Sequence, residues 1–299
     1  MTLPRKISPL SVWVLATRPR TLPAAVAPVL VGTAMAIADK SFQCLPALAA
    51  LAGAVLLQIG VNLANDYFDY VKGVDTVDRL GPIRVTQSGL IPPARVKAAM
   101  LIALGLAATV GVYLILVAGW PVLAIGLASI LALLAYSGGP YPLASHGLGD
   151  LFVFIFFGPV AVCGTYYVQA LHLTWPVILV TIPVGSLITA ILVVNNLRDI
   201  STDRKAGKYT LAVILGSRVT RIEYVLLLIS AYTMPCILWL AGLDSGWVLL
   251  PVVSLPMALS MIHVIRQAAG SVLNQALART ASLSLFFSLL LSIGLILSS

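Results

Sequence analysis

NLANDYFDYVKGVD, residues 62–75, decides how this chain folds, because it ends a long apolar run rather than decorating a polar surface. Upstream, LPALAALAGAVLLQIGV at 45–61 carries no charge at all. Then Asn62, Asn65, Asp66, Asp69 and Asp75 arrive together. A second cluster, NNLRDISTD at 195–203, closes another apolar run with Asn195, Asn196, Asp199 and Asp203. Charged groups beside hydrocarbon are costly, so their concentration at two places marks candidate functional sites.

The rest of the composition fits this reading. With 60% hydrophobic and 9% charged residues and a mean hydropathy of +1.03, the 299-residue chain lacks the polar surface of a water-soluble globule. It reads as an all-α polytopic membrane protein forming one domain over 1–299. Apolar runs long enough to span hydrocarbon, about 20 residues each, fall near 22–38, 45–70, 97–118, 121–137, 151–170, 174–196, 222–241, 247–265 and 281–298. The alternating pattern of a membrane β-barrel is missing. Placing the N-terminus in the cytoplasm puts every Lys and Arg of the 18 except Lys40 on the inner side, as the positive-inside rule requires. The expected location is therefore the cytoplasmic membrane. Topology accounts for the net charge of +8, and a nucleic-acid partner is not needed. The N-terminal segment has no short apolar stretch followed by a small-residue cleavage site, so the first span is expected to be retained.

Cys44, Cys163 and Cys236 lie singly in or beside apolar spans, and His146, His172 and His263 are equally scattered. No spacing suits disulfides, zinc or haem. The loops are more informative. Those assigned outside are brief and nearly uncharged, whereas those assigned inside, 71–95, 136–150 and 198–221, are long and polar. That asymmetry places the chemistry on the cytoplasmic face. Two of the inner loops begin with an Asn/Asp cluster, which suggests a duplicated helix pair. The repeat is weak, aligning Asn62-x3-Asp66-x2-Asp69 with Asn195-x3-Asp199-x3-Asp203.

Residues three or four apart share a helical face. Gln58, Asn62, Asp66 and Asp69 thus form one polar stripe, and Asn195, Asp199 and Asp203 another. Carboxylates sharing a face repel unless a cation lies between them. Oxygen-only ligands favour a hard cation, and magnesium commonly binds through a few carboxylates plus substrate phosphates. Two facing stripes suit a metal-bridged diphosphate. A single Asp would instead read as a helix cap or as a partner of Arg198, Arg204 or Lys205. Asp75 and Asp78 fall past the expected helix end near Gly73, where loop charges are common.

NDYFDYVKGVDTVDRLGPIR at 65–84 and NNLRDISTDRKAGKYTLAV at 195–213 resemble the two aspartate motifs of the UbiA-type intramembrane prenyltransferases. RPRTLPAAVAPVLVG at 18–32 and YSGGPYPL at 136–143 are similar to the 1,4-dihydroxy-2-naphthoate polyprenyltransferase branch. The resemblance covers nearly the whole chain and implies a nine-helix bundle with its active site open to the cytoplasm. It implies Mg2+ held by Asp66, Asp69, Asp199 and Asp203, with Asn62 and Asn195 alongside. Arg84 and Lys205 or Lys208 match basic positions for the diphosphate, and Tyr136 matches a tyrosine near the allylic carbon. One departure is Gly73, where many relatives carry a third acid; the next acid here is Asp75.

The implied reaction joins a polyprenyl diphosphate to 1,4-dihydroxy-2-naphthoate, releasing carbon dioxide and diphosphate and forming demethylmenaquinone. Another aromatic acceptor such as 4-hydroxybenzoate is the nearest alternative. A cation-coupled transporter is the alternative of a different class, but it would place its acids at the midplane on Gly/Pro-broken helices. An aromatic acid needs a carboxylate partner, and the guanidinium fork of Arg18 suits it; simple positive-inside anchoring is the plainer reading of Arg18 and Arg20. Tyr136 is either a cation-stabilising ring or an interfacial anchor. GGPYP at 138–142 cannot continue a helix and reads as a turn-rich lid or a connection. Asn274 reads as a polar group at the border of the last span.

Overall fold

The computed structural model describes residues 8–74, 80–242 and 245–299, so the loop acids Asp75 and Asp78 lie outside the described residues. Apart from one isolated bridge between His146 and Tyr209, the described residues form helices, turns and connecting loops. Eight helical stretches among them are long and apolar enough to cross a bilayer. A bent pair makes the ninth.

That pair is α1 (Pro9–Thr17) and α2 (Pro23–Ala38), which form one span broken by 51° around Arg18–Leu22. There follow α3 (Cys44–Val71), α4 (Pro93–Ala118) and α5 (Trp120–Ser137). Next, α6 (Gly149–Ile155) runs through a π-helical turn, Phe156–Val160, into α7 (Ala161–Ala170). The second half contains α8 (Trp175–Lys205), α9 (Leu211–Leu240), α10 (Leu255–Gln267) and α11 (Leu273–Leu297). Proline stands in the first two positions of α1, α2, α4, α5, α8 and α10. Its missing N–H costs nothing there, and its φ is already helical.

Helix length explains where the acids sit. At 1.5 Å per residue, α3 and α8 extend about 42 and 46 Å, against roughly 30 Å of hydrocarbon. Both carry their Asn/Asp clusters at the C-terminal end of that surplus. The polar loop expected over 198–221 is consequently mostly helix: α8 continues to Lys205, 206–210 turn with Gly207 at φ 71°, and α9 begins at Leu211 with a kink at Gly216 (φ 79°, ψ 165°).

Two apolar cores flank the middle of the bundle. One joins α1, α3, α4 and α5 through Val12, Leu63, Met100, Leu104 and Leu133. The larger joins α2, α7, α8, α9, α10 and α11 around Tyr166, Leu187, Tyr224 and Phe287. Within their apolar windows α8 is 72% buried and α5 only 17%, so α8 is the central post and α5 an outer wall. The π-helical turn packs tightly on α8. A Cβ on Gly158 would lie 2.9 Å from the Thr181 carbonyl oxygen, and one on Gly185 3.0 Å from that of Phe154. Glycine at both positions lets the two backbones touch, which is how helices pack where lipid supplies no hydrophobic drive. Leu116, Leu131 and Leu226 project from the outer face, where hydrocarbon solvates them.

Candidate active site

Between the two cores lies a cavity of about 590 Å3, apolar along α4, α5 and α7 and polar at the C-terminal ends of α3 and α8. On α3, Gln58, Asn62, Asn65 and Asp69 line it; Asp66 does not. This corrects the expected stripe. At about 100° per residue, Asp66 is rotated about 60° from Asp69 and 100° from Asn65, which turns it toward the following loop. There its two oxygens accept the backbone N–H groups of Val85 (3.1 Å) and Thr86 (3.2 Å), with the side chain nearly fully buried.

The residue that replaces Asp66 on the cavity wall is Asn65, whose Oδ1 accepts the Ser137 hydroxyl at 2.5 Å. The internal match between the two halves therefore shifts by one helical neighbour. Asn65-x3-Asp69 pairs with Asn195-x3-Asp199, and all four residues face the cavity. Asp203, one turn beyond Asp199, faces it as well.

Cations stand against these acids. Fastened by the Asp66 anchor, the buried 84–86 segment brings Arg84 Nη2 to 2.9 Å from Asp69 Oδ2, with both side chains almost wholly buried. Lys208 Nζ lies 3.5 Å from the same oxygen, and Lys208 lines the cavity. Lys205 is exposed and outside the lining, so of the two expected lysines only Lys208 reaches the site. Asp199 takes a bidentate guanidinium from its own neighbour, Arg198: Nε to Oδ1 at 2.8 Å and Nη2 to Oδ2 at 2.5 Å. The bland sequence reading of Arg198 as an ion-pair partner is correct, and it coexists with Asp199 facing the cavity.

Lys72, just past the end of α3, donates to the carbonyls of Ser137 (2.7 Å) and Gly139 (3.1 Å), pinning the GGPYP turn to the first acidic helix. Partial burial lowers its pKa, opposed by Asp69 and reinforced by Lys208. Tyr136 lines the cavity. Its hydroxyl lies 3.3 Å from where a Cβ on Gly149 would be, beside the buried Asp150, whose Oδ2 has no hydrogen-bond partner among the described residues.

The broken first span contributes the remaining polar wall. Asn62 Nδ2 donates to the Thr17 carbonyl and to Thr21 Oγ1, both at 2.9 Å, tying the break to α3. Arg18 faces the cavity from the break itself, with φ 51° and ψ 70°. A non-glycine residue in that left-handed region is uncommon, and it ends α1 abruptly.

The donor set is oxygen only: the carboxylates of Asp69, Asp199 and Asp203, with the amides of Asn65 and Asn195. No three His, Cys, Asp or Glu side chains among the described residues converge as a ready-made cage. Such a site fits a magnesium-like ion, which keeps waters and relies on substrate phosphates for part of its shell. The sequence reading held Asn65 in the first cluster but left it off the facing stripe, and it missed Lys72 and the reach of Arg198. A buried Arg beside an intramembrane acid was the available signal for the last.

The profile of the UbiA prenyltransferase family matches residues 25–294. A 1,4-dihydroxy-2-naphthoate octaprenyltransferase of Mycobacterium tuberculosis is 43% identical over 258 residues, covering 86% of this chain and 87% of that protein. The Escherichia coli protein of the same name is 39% identical over 301 residues and covers 98% of both. Among solved structures, a UbiA homolog from Archaeoglobus fulgidus superposes with a TM-score of 0.66 at 14% identity, covering 96% of this chain and 99% of its own. The same fold has been solved for such a homolog bound to DMAPP and Mg2+, with a TM-score of 0.64 at 13% identity, covering 94% of this chain and 99% of that one.

Proposed function

The chain belongs to the UbiA prenyltransferase family, and from that premise we propose that it transfers a polyprenyl group from polyprenyl diphosphate to 1,4-dihydroxy-2-naphthoate. Carbon dioxide and diphosphate leave, and demethylmenaquinone forms. The observation that carries this reading is one cavity with two unlike ends. Its apolar length suits an isoprenoid, and its polar end sets two Asn/Asp stripes against Arg84 and Lys208.

In this reading Arg84 and Lys208 bind the diphosphate oxygens, and Asp69, Asp199 and Asp203 hold Mg2+. The bound ion supplies electrostatic stabilisation of the leaving diphosphate. Arg84 and Lys208 act in the same place, where negative charge grows as the allylic C–O bond breaks. The apolar walls keep water from capturing the allylic cation. Tyr136 presents its ring to that cation, and Arg18 takes the acceptor carboxylate. A lipid substrate is already in hydrocarbon, so burial of its chain gains little, as for helix packing in lipid; affinity rests on the diphosphate end. The positive-inside charge pattern supports a cytoplasmic position, on the inner membrane, for that end and for the N-terminus.

The acceptor is tested by carboxyl-labelled 1,4-dihydroxy-2-naphthoate. Attack at the carboxyl-bearing ring carbon requires loss of that group before the ring recovers aromaticity. Labelled carbon dioxide should appear in equal amount to prenylated product. Product that retains the label, or activity with 4-hydroxybenzoate alone, would overturn the naphthoate assignment.

A further inference from the structure

Behind the second acidic stripe, away from the cavity, lies a chain of hydrogen bonds that starts at Arg198. Its side chain is 1% exposed. Besides gripping both oxygens of Asp199, it donates from Nη2 to Asn195 Oδ1 at 2.8 Å and from Nη1 to Asn274 Oδ1 at 2.9 Å. Asn274, in the first turn of α11, passes the link on: its Nδ2 donates to the Leu80 carbonyl at 2.9 Å, across 194 residues of sequence. Arginine only donates and a carbonyl only accepts, so the orientation of the Asn274 amide is fixed. Asn195 and Asp199 face the cavity, whereas Arg198 and Asn274 do not.

Resting on the reading of this site as a diphosphate–metal centre, we propose that Asn274 is a positioning residue for it. Asn274 fixes the far side of the Arg198 guanidinium. Arg198 in turn holds Asp199 and Asn195 so that their remaining lone pairs point into the cavity. Through Leu80, the same amide fastens the segment that leads to Arg84, so one side chain registers the acid of the second half against the cation of the first. Outer partners of this kind orient ligands without touching the ion or substrate.

The test compares the purified full chain with Asn274→Leu, which keeps the side chain's heavy-atom count and branching and removes both hydrogen bonds. In prenyl transfer, the half-saturating Mg2+ concentration should rise about 10- to 100-fold, while KM for the aromatic acceptor stays unchanged. In thermal unfolding, the stabilisation given by Mg2+ plus inorganic diphosphate should largely disappear. A merely structural role would lower the unliganded midpoint yet leave the ligand-induced shift and the Mg2+ requirement as in the wild type, and that result overturns the proposal. Should Asn274→Leu fail to accumulate, Asn274→Asp carries the test. It keeps the oxygen for Arg198, loses the donor to Leu80 and competes for the guanidinium; a wild-type Mg2+ requirement in it overturns the proposal equally. Asp199→Asn separates the two levels. If it too keeps the full diphosphate shift, the diphosphate–metal reading itself fails; if it loses the shift while Asn274→Leu keeps it, only the role of Asn274 does.

Discussion

Asp69 of α3 and Asp199 of α8 face one cavity but are neutralised in opposite ways. Asp69 relies on cations from elsewhere in the chain, Arg84 from the next loop and Lys208 from the other half of the molecule. Asp199 is held by the residue beside it, with Asn274 behind. On the proposed reading the first arrangement can be exchanged: an incoming diphosphate would compete for Arg84 and Lys208 and release Asp69. The second is preset. Stripes that look alike in sequence would, on the proposed reading, divide the labour, one changing partners when substrate arrives and the other holding its geometry.

The sharpest way to break this comparison is to remove each acid. Asp69→Ala and Asp199→Ala should each lower prenyl transfer by about a hundred- to a thousandfold, the scale of removing a principal electrostatic stabiliser, while the protein stays inserted. Near-normal turnover of either variant in purified form would show that its stripe does not serve the reaction.

The arginines come next. Arg198→Ala leaves a buried carboxylate without its guanidinium, a loss of about 3–5 kcal/mol by analogy with broken buried pairs. Arg84→Ala leaves Lys208 beside Asp69, so its stability should fall less and its main effect should be a raised KM for prenyl diphosphate. Equal unfolding midpoints for the two variants would erase the distinction between exchangeable and preset partners.

Asp66 ranks third and separates anchoring from metal binding. Asp66→Ala frees the backbone N–H groups of Val85 and Thr86 and should cost about 3–6 kcal/mol, two charge-assisted hydrogen bonds' worth. Activity should fall through misplacement of Arg84, with Asp66→Asn partly restoring both. A normal unfolding midpoint together with a lost Mg2+ response would return Asp66 to the ligand set. The smallest effects concern the basic turn: Lys208→Ala should weaken diphosphate use clearly, whereas Lys205→Ala, a surface change, should stay within about twofold of wild type. Matching losses would mean that the turn adopts another arrangement when substrate is bound.

The spans were legible because hydrocarbon thickness imposes a length that composition reveals. The helix Pro9–Thr17 was not, since Arg18, Pro19 and Arg20 hide the continuity of a span that breaks and resumes at Pro23. The acids were legible as clusters, because charge is rare in this chain. Their exact facing was not. Spacings of three and four both place residues on one side of a helix, and only Ser137 and the 85–86 backbone decide that Asn65 turns inward and Asp66 outward. Arg198 and Asn274 lie 76 residues apart, a contact that no local pattern encodes.

The placement of counter-charge also bears on how the nascent chain enters the bilayer. In α8 the arginine and aspartate are consecutive, so that stretch reaches the membrane with its charge already balanced and can settle as soon as the helix forms. No cation precedes Lys72 within α3, and its partner segment 84–86 is translated later. Until that segment folds back, Asp66 and Asp69 are uncompensated and resist being drawn into hydrocarbon. The acids of α3 are therefore expected to resist deep insertion and to limit how far the second span sinks before segment 84–86 has folded back.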